Sequence, residues 1–220
     1  MKEIASGRIE KFFIGKIMAY SDFKTFYQIN QDLGIAIEAG NELYADIEPV
    51  KLTQWFIETM KMAYTKAIRI NTESSRQALI VDNVLLELNQ HIPISFFLEN
   101  TFNVDIAKGL TGNPDGIISK SSNQLYITAP VIVLVGAKKS DLGSGLPQCI
   151  AEMEAARIFN EQKGTSMSIV YGVVTDGVLW QFLSLQNGTA IIDSYLYNFN
   201  NGSKIIGILK FFVENSIPQT

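Results

Sequence analysis

Val131-Ile132-Val133-Leu134-Val135-Gly136-Ala137 is an almost continuous apolar run, bounded by Pro130 and Lys138. A strand with no polar side chain on either face must be covered on both faces. That is the habit of a central strand in an α/β sheet, not of an antiparallel sheet with one wet face. The neighbouring chain supplies the covers: a helical pattern from about Glu73 to Asn89 precedes the run, and another to about Gln162 follows it. From Glu73 onward the order reads helix, three strands, helix, strand, hairpin and final helix. The expected class is α/β with a mixed sheet flanked by helices.

The first seventy residues read as an α-rich extension (1–70) packed on a core domain (71–220). Phe12-Phe13-Ile14 and Ile17-Met18 make an apolar run that suits strand or helix. Ser21-Asp22 looks like a helix start, and Phe23, Phe26, Tyr27 and Leu33 keep helical spacing until Gly34 stops them. Residues 35–50 look irregular and end at Pro49. A long helix then carries Leu52, Trp55, Phe56, Thr59, Ala63, Ala67 and Ile70 on one stripe.

In the core, Asn71-Thr72-Glu73 offers a capping side chain and then an acid in the first turn, where the helix dipole favours it. Ala78, Leu79, Val81, Leu85, Leu86 and Leu88 form the apolar side of that helix, and Pro93 ends it. Ile94–Val104 reads as a strand. After Asn113-Pro114-Asp115-Gly116, Ile117-Ile118 continues as strand, and Ser121-Ser122-Asn123 turns the chain into Leu125-Tyr126-Ile127. Gly143-Ser144-Gly145-Leu146-Pro147 starts the next helix, with proline expected in its first turn. Leu146, Cys149, Ile150, Met153 and Ala156 form its apolar face. Ser168–Thr175 and Val178–Leu185 pair around Asp176-Gly177, and Asn187-Gly188 turns the chain again into Ala190–Tyr197. The last helix, Lys204–Glu214, is apolar around most of its girth, which means deep burial or a subunit contact, so a homodimer is an expectation.

Composition narrows the function classes. A net charge of −4 and a pI near 5.1 argue against a broad basic surface for nucleic acid, leaving only a local groove from Lys120, Lys138 and Lys139. No run approaches the ~18 apolar residues of a bilayer span, and the first residues lack a signal peptide's apolar centre. With Cys149 the single cysteine, no intrachain disulfide can form, and a cytoplasmic location with no membrane partner is the expectation. The single histidine, His91, has no nucleophile pattern around it and reads as structural. No phosphate-cradling glycine loop, cysteine metal set or serine elbow is present.

The residues with chemistry cluster around the apolar run. Taken singly, each has an ordinary reading: Pro114-Asp115-Gly116 as a turn, Lys138-Lys139 as a solvated strand end, Gln148 and Glu152 as a solvated helix face, and Glu73 as a first-turn acid. Their order is more specific. Asp115, then Ala137-Lys138 closing an apolar strand, then Gln148 on the next helix, resembles the PD-(D/E)XK nuclease superfamily, the restriction-endonuclease-like fold, and within it uncharacterised bacterial, chiefly cyanobacterial, members.

The resemblance rests on Thr72-Glu73 with Arg76, Phe102-Asn103-Val104-Asp105, Asp115, Ala129-Pro130-Val131, Ala137-Lys138 and Gln148–Met153, and reaches the hairpin from Tyr171 to Phe182. It covers roughly residues 70–212. It implies a DNA phosphodiesterase using Mg²⁺ or Mn²⁺, in which the metal polarises the scissile phosphate and activates a water. Asp115 would be a metal ligand, the Ala137 carbonyl another, Lys138 the cation that orients the nucleophile, and Gln148 a lining residue.

One position departs from the pattern. The family places an acid two residues before the lysine, and here Gly136 stands there. The Arg76-Gln77-Ala78 run likewise lacks an acid that relatives carry. Glu152 or Glu73 are the candidate replacement ligands. If neither serves, the chain keeps the fold without catalysis and acts by binding DNA or protein.

Overall fold

The structure is a computed structural model that describes residues 18–137, 141–216 and 218. The Phe12–Ile14 run and Lys138-Lys139 therefore lie outside the described residues. A mixed sheet runs through the middle of the chain in the order β1-β7-β6-β5-β4-β3-β2, with β8 paired to β6. Its strands are β1 (Ala36–Gly40), β2 (Ser95–Leu98), β3 (Gly116–Ser119), β4 (Val131–Ala137), β5 (Val170–Thr175), β6 (Leu179–Gln186), β7 (Thr189–Asp193) and β8 (Tyr197–Asn198). β4 is parallel to β5 and antiparallel to β3, which is in turn antiparallel to β2.

Helices cover both faces, as the apolar run in β4 requires. On one face lie α1 (Phe26–Leu33) and α5 (Leu142–Gln162); on the other lie α2 (Gln54–Ile70), α3 (Glu73–Arg76), α4 (Asp82–His91) and α6 (Gly202–Asn215). Strand alternation sorts the side chains between two apolar clusters. Ile117, Val174, Leu183 and Leu185 face α5, while Ile118, Val133, Val173 and Phe182 face α4 and α6. Burying large aliphatic and aromatic groups at about 25 cal/mol per Å² makes these two layers the main source of stability.

Several expectations change in detail. Residues 36–40 are not irregular: they form an edge strand, parallel to β7, from Ala36↔Thr189 to Gly40↔Asp193. The N-terminal part thus adds a strand to the sheet as well as helices. β2 is far shorter than Ile94–Val104, because Glu99 adopts a left-handed φ of 49° and ends the strand. Leu125-Tyr126-Ile127 is not strand, and Leu125 and Tyr126 are exposed. α5 begins at Leu142, so Pro147 lies inside it and not in its first turn.

The helix from Glu73 is interrupted by a π turn at Gln77–Val81. A wider turn moves the buried stripe by one residue, about 100° of rotation. The buried positions become Gln77, Ile80, Val81, Val84, Leu85, Glu87 and Leu88, whereas Ala78 and Leu86 face outward. Other readings hold: Gly34 closes α1 at φ 71°, and Asn187-Gly188 turns β6 into β7 with both φ angles positive. α6 is buried within the chain by Tyr44, Tyr171 and Phe182, which accounts for its apolar girth.

Candidate functional site

Two neighbouring strand ends define the candidate site. The β3–β4 ladder pairs Gly116 with Val135 and Ile117 with Leu134, so the next step of the register sets Asp115 opposite Gly136. Asp115, half-buried, immediately precedes β3, whose Ile117 belongs to the apolar layer under α5. Gly136 pairs on its other side with Val174, which belongs to the same cluster. Ala137, the last β4 residue, pairs with Thr175.

α5 is fixed above these strands by two devices. Asn160, fully buried, receives the Val131 N–H at 2.8 Å and donates to the Val131 carbonyl at 2.7 Å, which locks the end of α5 to the start of β4. At Gly172 the helix comes so close that a Cβ would stand 2.5 Å from the Met153 sulfur and 2.8 Å from that of Cys149. Cys149 is accordingly a packing residue.

Gln148 and Glu152 sit next to that contact on α5. The Gln148 amide donates to Glu152 Oε1 at 2.9 Å, and Glu152 is only 1% exposed. The sequence reading of a solvated helix face fails for Glu152, because the 3-10 turn Tyr20–Asp22 lies across α5. Tyr20 in that turn donates its hydroxyl to the Phe102 carbonyl at 2.6 Å. Burial, with the nearby Glu152 charge, pushes the Tyr20 phenol far above its usual range. Tyr20 was invisible to motif reasoning, since nothing in its local sequence links it to residue 152.

The remaining predicted residues are distributed differently. Glu73 occupies the first turn of α3, exposed, in the helical layer on the opposite face of the sheet. Arg76 is engaged with the hairpin turn: its Nη1 contacts the Asp176 carboxylate at 3.1 Å and the Asp176 carbonyl at 2.7 Å, and its Nη2 reaches Asn71. Lys120 lies at the far end of β3 from Asp115, against Ser216, so it does not join a groove there. His91 faces the buried Glu87 at 3.0 Å, a structural pairing as expected.

Does this donor set suit Mg²⁺ in the family's manner? That arrangement takes two carboxylates and a backbone carbonyl on adjoining strands, and the position that should hold the second carboxylate is Gly136. Among the described residues no three His, Cys, Asp or Glu side chains are grouped to hold an ion. The set does not fit. Among the described residues the nearest atom to a Cβ at Gly136 is the Val173 carbonyl oxygen, at 3.8 Å.

No protein-family model matches the chain, and the curated proteins contain no significant match to it. Among the described residues no helix is long and apolar enough to cross a membrane.

Proposed function

We propose that this chain is a PD-(D/E)XK-type protein in which the layout for DNA phosphodiester hydrolysis is kept while one of its two metal-binding carboxylates is missing, so that cleavage is weakened or lost. The observation that carries the reading is the strand register, which pairs Gly116 with Val135 and, continued by one step, sets Asp115 opposite Gly136; α5, which bears Gln148 and Glu152, packs on β4. The element order around it, helix, three strands, helix, strand, agrees with the restriction-endonuclease-like fold.

In this reading Asp115 supplies one carboxylate, Ala137 one carbonyl and Lys138 the cation beside the phosphate. Gln148 holds Glu152 in place. Removing one carboxylate from a hard-cation site takes away both a ligand and a full negative charge, a large loss where the surroundings are poorly solvated. What then remains is recognition of DNA through its phosphates.

A second reading is favoured by the position of Glu152. It is a buried carboxylate on the helix that covers β4 and is held there by Gln148, so it is the acid best placed to have taken over from position 136. Anisotropy titration of a labelled duplex at low salt, with and without EDTA, separates the readings. Binding that survives EDTA and falls steeply with salt supports the lapsed site. Binding that needs Mg²⁺ and is lost in the Glu152→Gln variant supports the rearranged one. No binding at low salt under either condition removes the DNA role.

A further inference from the structure

The outward face of α2 is basic in an acidic chain. Between Glu58 and Glu73 the sequence holds Lys61, Lys66 and Arg69 and no acid, while the whole chain carries a net charge of −4. At about 100° per residue the three cations fall within an arc of roughly 140°, away from the buried Phe56, Ala63 and Ala67. All three are exposed, and among the described residues no ion pair holds them. Glu58, the one acid of the helix, accepts instead from the Gln54 amide at 2.7 Å. Arg69, in the last turn, also answers the negative end of the helix dipole, but Lys61 and Lys66 stand too far back for that field to account for them.

This helix ends beside the strand ends. Asn71, the C-cap of α2, accepts from Arg76 Nη2 at 3.1 Å, and Nη1 of the same guanidinium contacts the Asp176 carboxylate at 3.1 Å. Asp176 directly follows Thr175, which pairs with Ala137 at the end of β4. Arg69 and Lys66, shortly before Asn71, therefore stand at the same end of the sheet as Gly136 and Ala137, in the helical layer opposite α5. Lys61 continues the row, roughly 12 Å back along the axis from Arg69.

Phosphates suit such a row. Duplex DNA carries one negative charge per about 1.7 Å of its axis, so long, exposed cations spaced along a helix each meet one without needing a pocket. The exposed Met62 and Ile70 make an anionic lipid surface the competing occupant, but Trp55, the residue best suited to a membrane interface, stands at the other end of the helix with Glu58. We propose that Lys61, Lys66 and Arg69 form a phosphate-contacting strip that holds a DNA duplex alongside the strand ends. The strip rests on the DNA reading above and adds the residues that position the duplex without touching the reacting phosphate.

The test is anisotropy titration of a labelled duplex over a range of salt, in Mg²⁺ and in EDTA, with three forms of the whole chain. These are the wild type, Lys66→Gln/Arg69→Gln, and Lys24→Gln/Lys163→Gln, which removes the same charge from exposed positions off α2. The α2 variant, folded by circular dichroism, should bind at least about tenfold more weakly than the wild type, with a log–log salt slope shallower by about two. The control should stay within about threefold of the wild type. Equal weakening of both variants, or wild-type affinity in the α2 variant, overturns the strip and leaves the DNA reading standing. No binding by the wild type at low salt overturns both. Phosphatidylserine vesicles are sedimented with the same three forms: vesicle binding lost only in the α2 variant, with its DNA binding unchanged, gives the face to a lipid surface and overturns the proposal.

Discussion

Glu87 and Thr53 are joined twice: the Glu87 carboxylate accepts the Thr53 N–H at 2.7 Å and the Thr53 hydroxyl at 2.6 Å. Thr53 is the N-cap of α2, and Glu87 lies fully buried in α4 with His91 at 3.0 Å. One side chain thereby satisfies a helix start and ties two helices of the same layer. The Glu87→Ala variant leaves the Thr53 donors unpaired and should lose about 2–4 kcal/mol of stability. Thr53→Ala, which removes the cap and the hydroxyl's bond to Glu87 but keeps the Thr53 N–H bond, should cost about 1–3 kcal/mol. Urea unfolding followed by circular dichroism reads both, and equal stability of the Glu87 variant and the wild type would contradict this assignment.

Two glycines on adjoining strands should respond in opposite ways. At Gly172 a Cβ collides with the Met153 and Cys149 sulfurs, whereas at Gly136 it meets nothing nearer than 3.8 Å among the described residues. Gly172→Ala should therefore destabilise by about 1–3 kcal/mol as α5 is lifted from β5. Gly136→Ala should be neutral or slightly stabilising, within about 1 kcal/mol, since alanine has less backbone freedom to lose. Thermal melts of the two variants side by side decide it.

The Asp82 carboxyl is pushed above its ordinary value of 3.8, chiefly by burial and further by Glu99, with the Gln77 bond working the other way. A raised folded value means that the folded chain holds this proton more tightly than the unfolded chain. The associated stability is complete below pH 3.8 and is lost as pH rises through the folded value. Wild type and Asp82→Asn should differ by a constant amount at the acid end of that window, and the variant should gain relative to wild type as pH rises. Parallel pH–stability curves would show that Asp82 titrates normally.

Much of the fold was legible because its signals are local. The apolar run at Val131–Ala137 required cover on both faces, and Gly34 and the Asn187-Gly188 pair announced their turns. The helix from Gln54 to Ile70 buries Phe56, Ala63 and Ala67 of its expected stripe, but Met60 takes the place of Trp55 and Ile70, which are exposed. What escaped depends on distant partners. β1 is a strand only because β7 lies beside it, and its own residues, Ala36-Ile37-Glu38-Ala39-Gly40, carry little strand signal. The π turn displaced the stripe of α4, and no periodicity fitted to a regular helix reports such an insertion.

The site shows the same division. Asp115, Gly136, Gln148 and Glu152 were singled out by the order of short motifs that resembles the nuclease superfamily, each having an ordinary reading on its own. The burial of Glu152 could not be read in that way, because it depends on Tyr20, which arrives from well over a hundred residues away in sequence. The Gln77–Asp82 bond beside the π turn was hidden for a different reason: five residues apart is not a spacing at which side chains of a regular helix meet.

The central proposal is that the missing carboxylate at position 136 is the main loss that weakens this chain's cleavage centre. DNA cleavage in Mg²⁺ and in Mn²⁺ should be measured for the wild type and for Gly136→Glu, each with and without Lys138→Ala. The open space around Gly136 lets the glutamate be introduced without a backbone clash. The account predicts little or no cleavage by the wild type and a gain of at least a hundredfold in Gly136→Glu, on the order of 3 kcal/mol of barrier, abolished by Lys138→Ala. A folded Gly136→Glu variant that cuts no better than the wild type would contradict it.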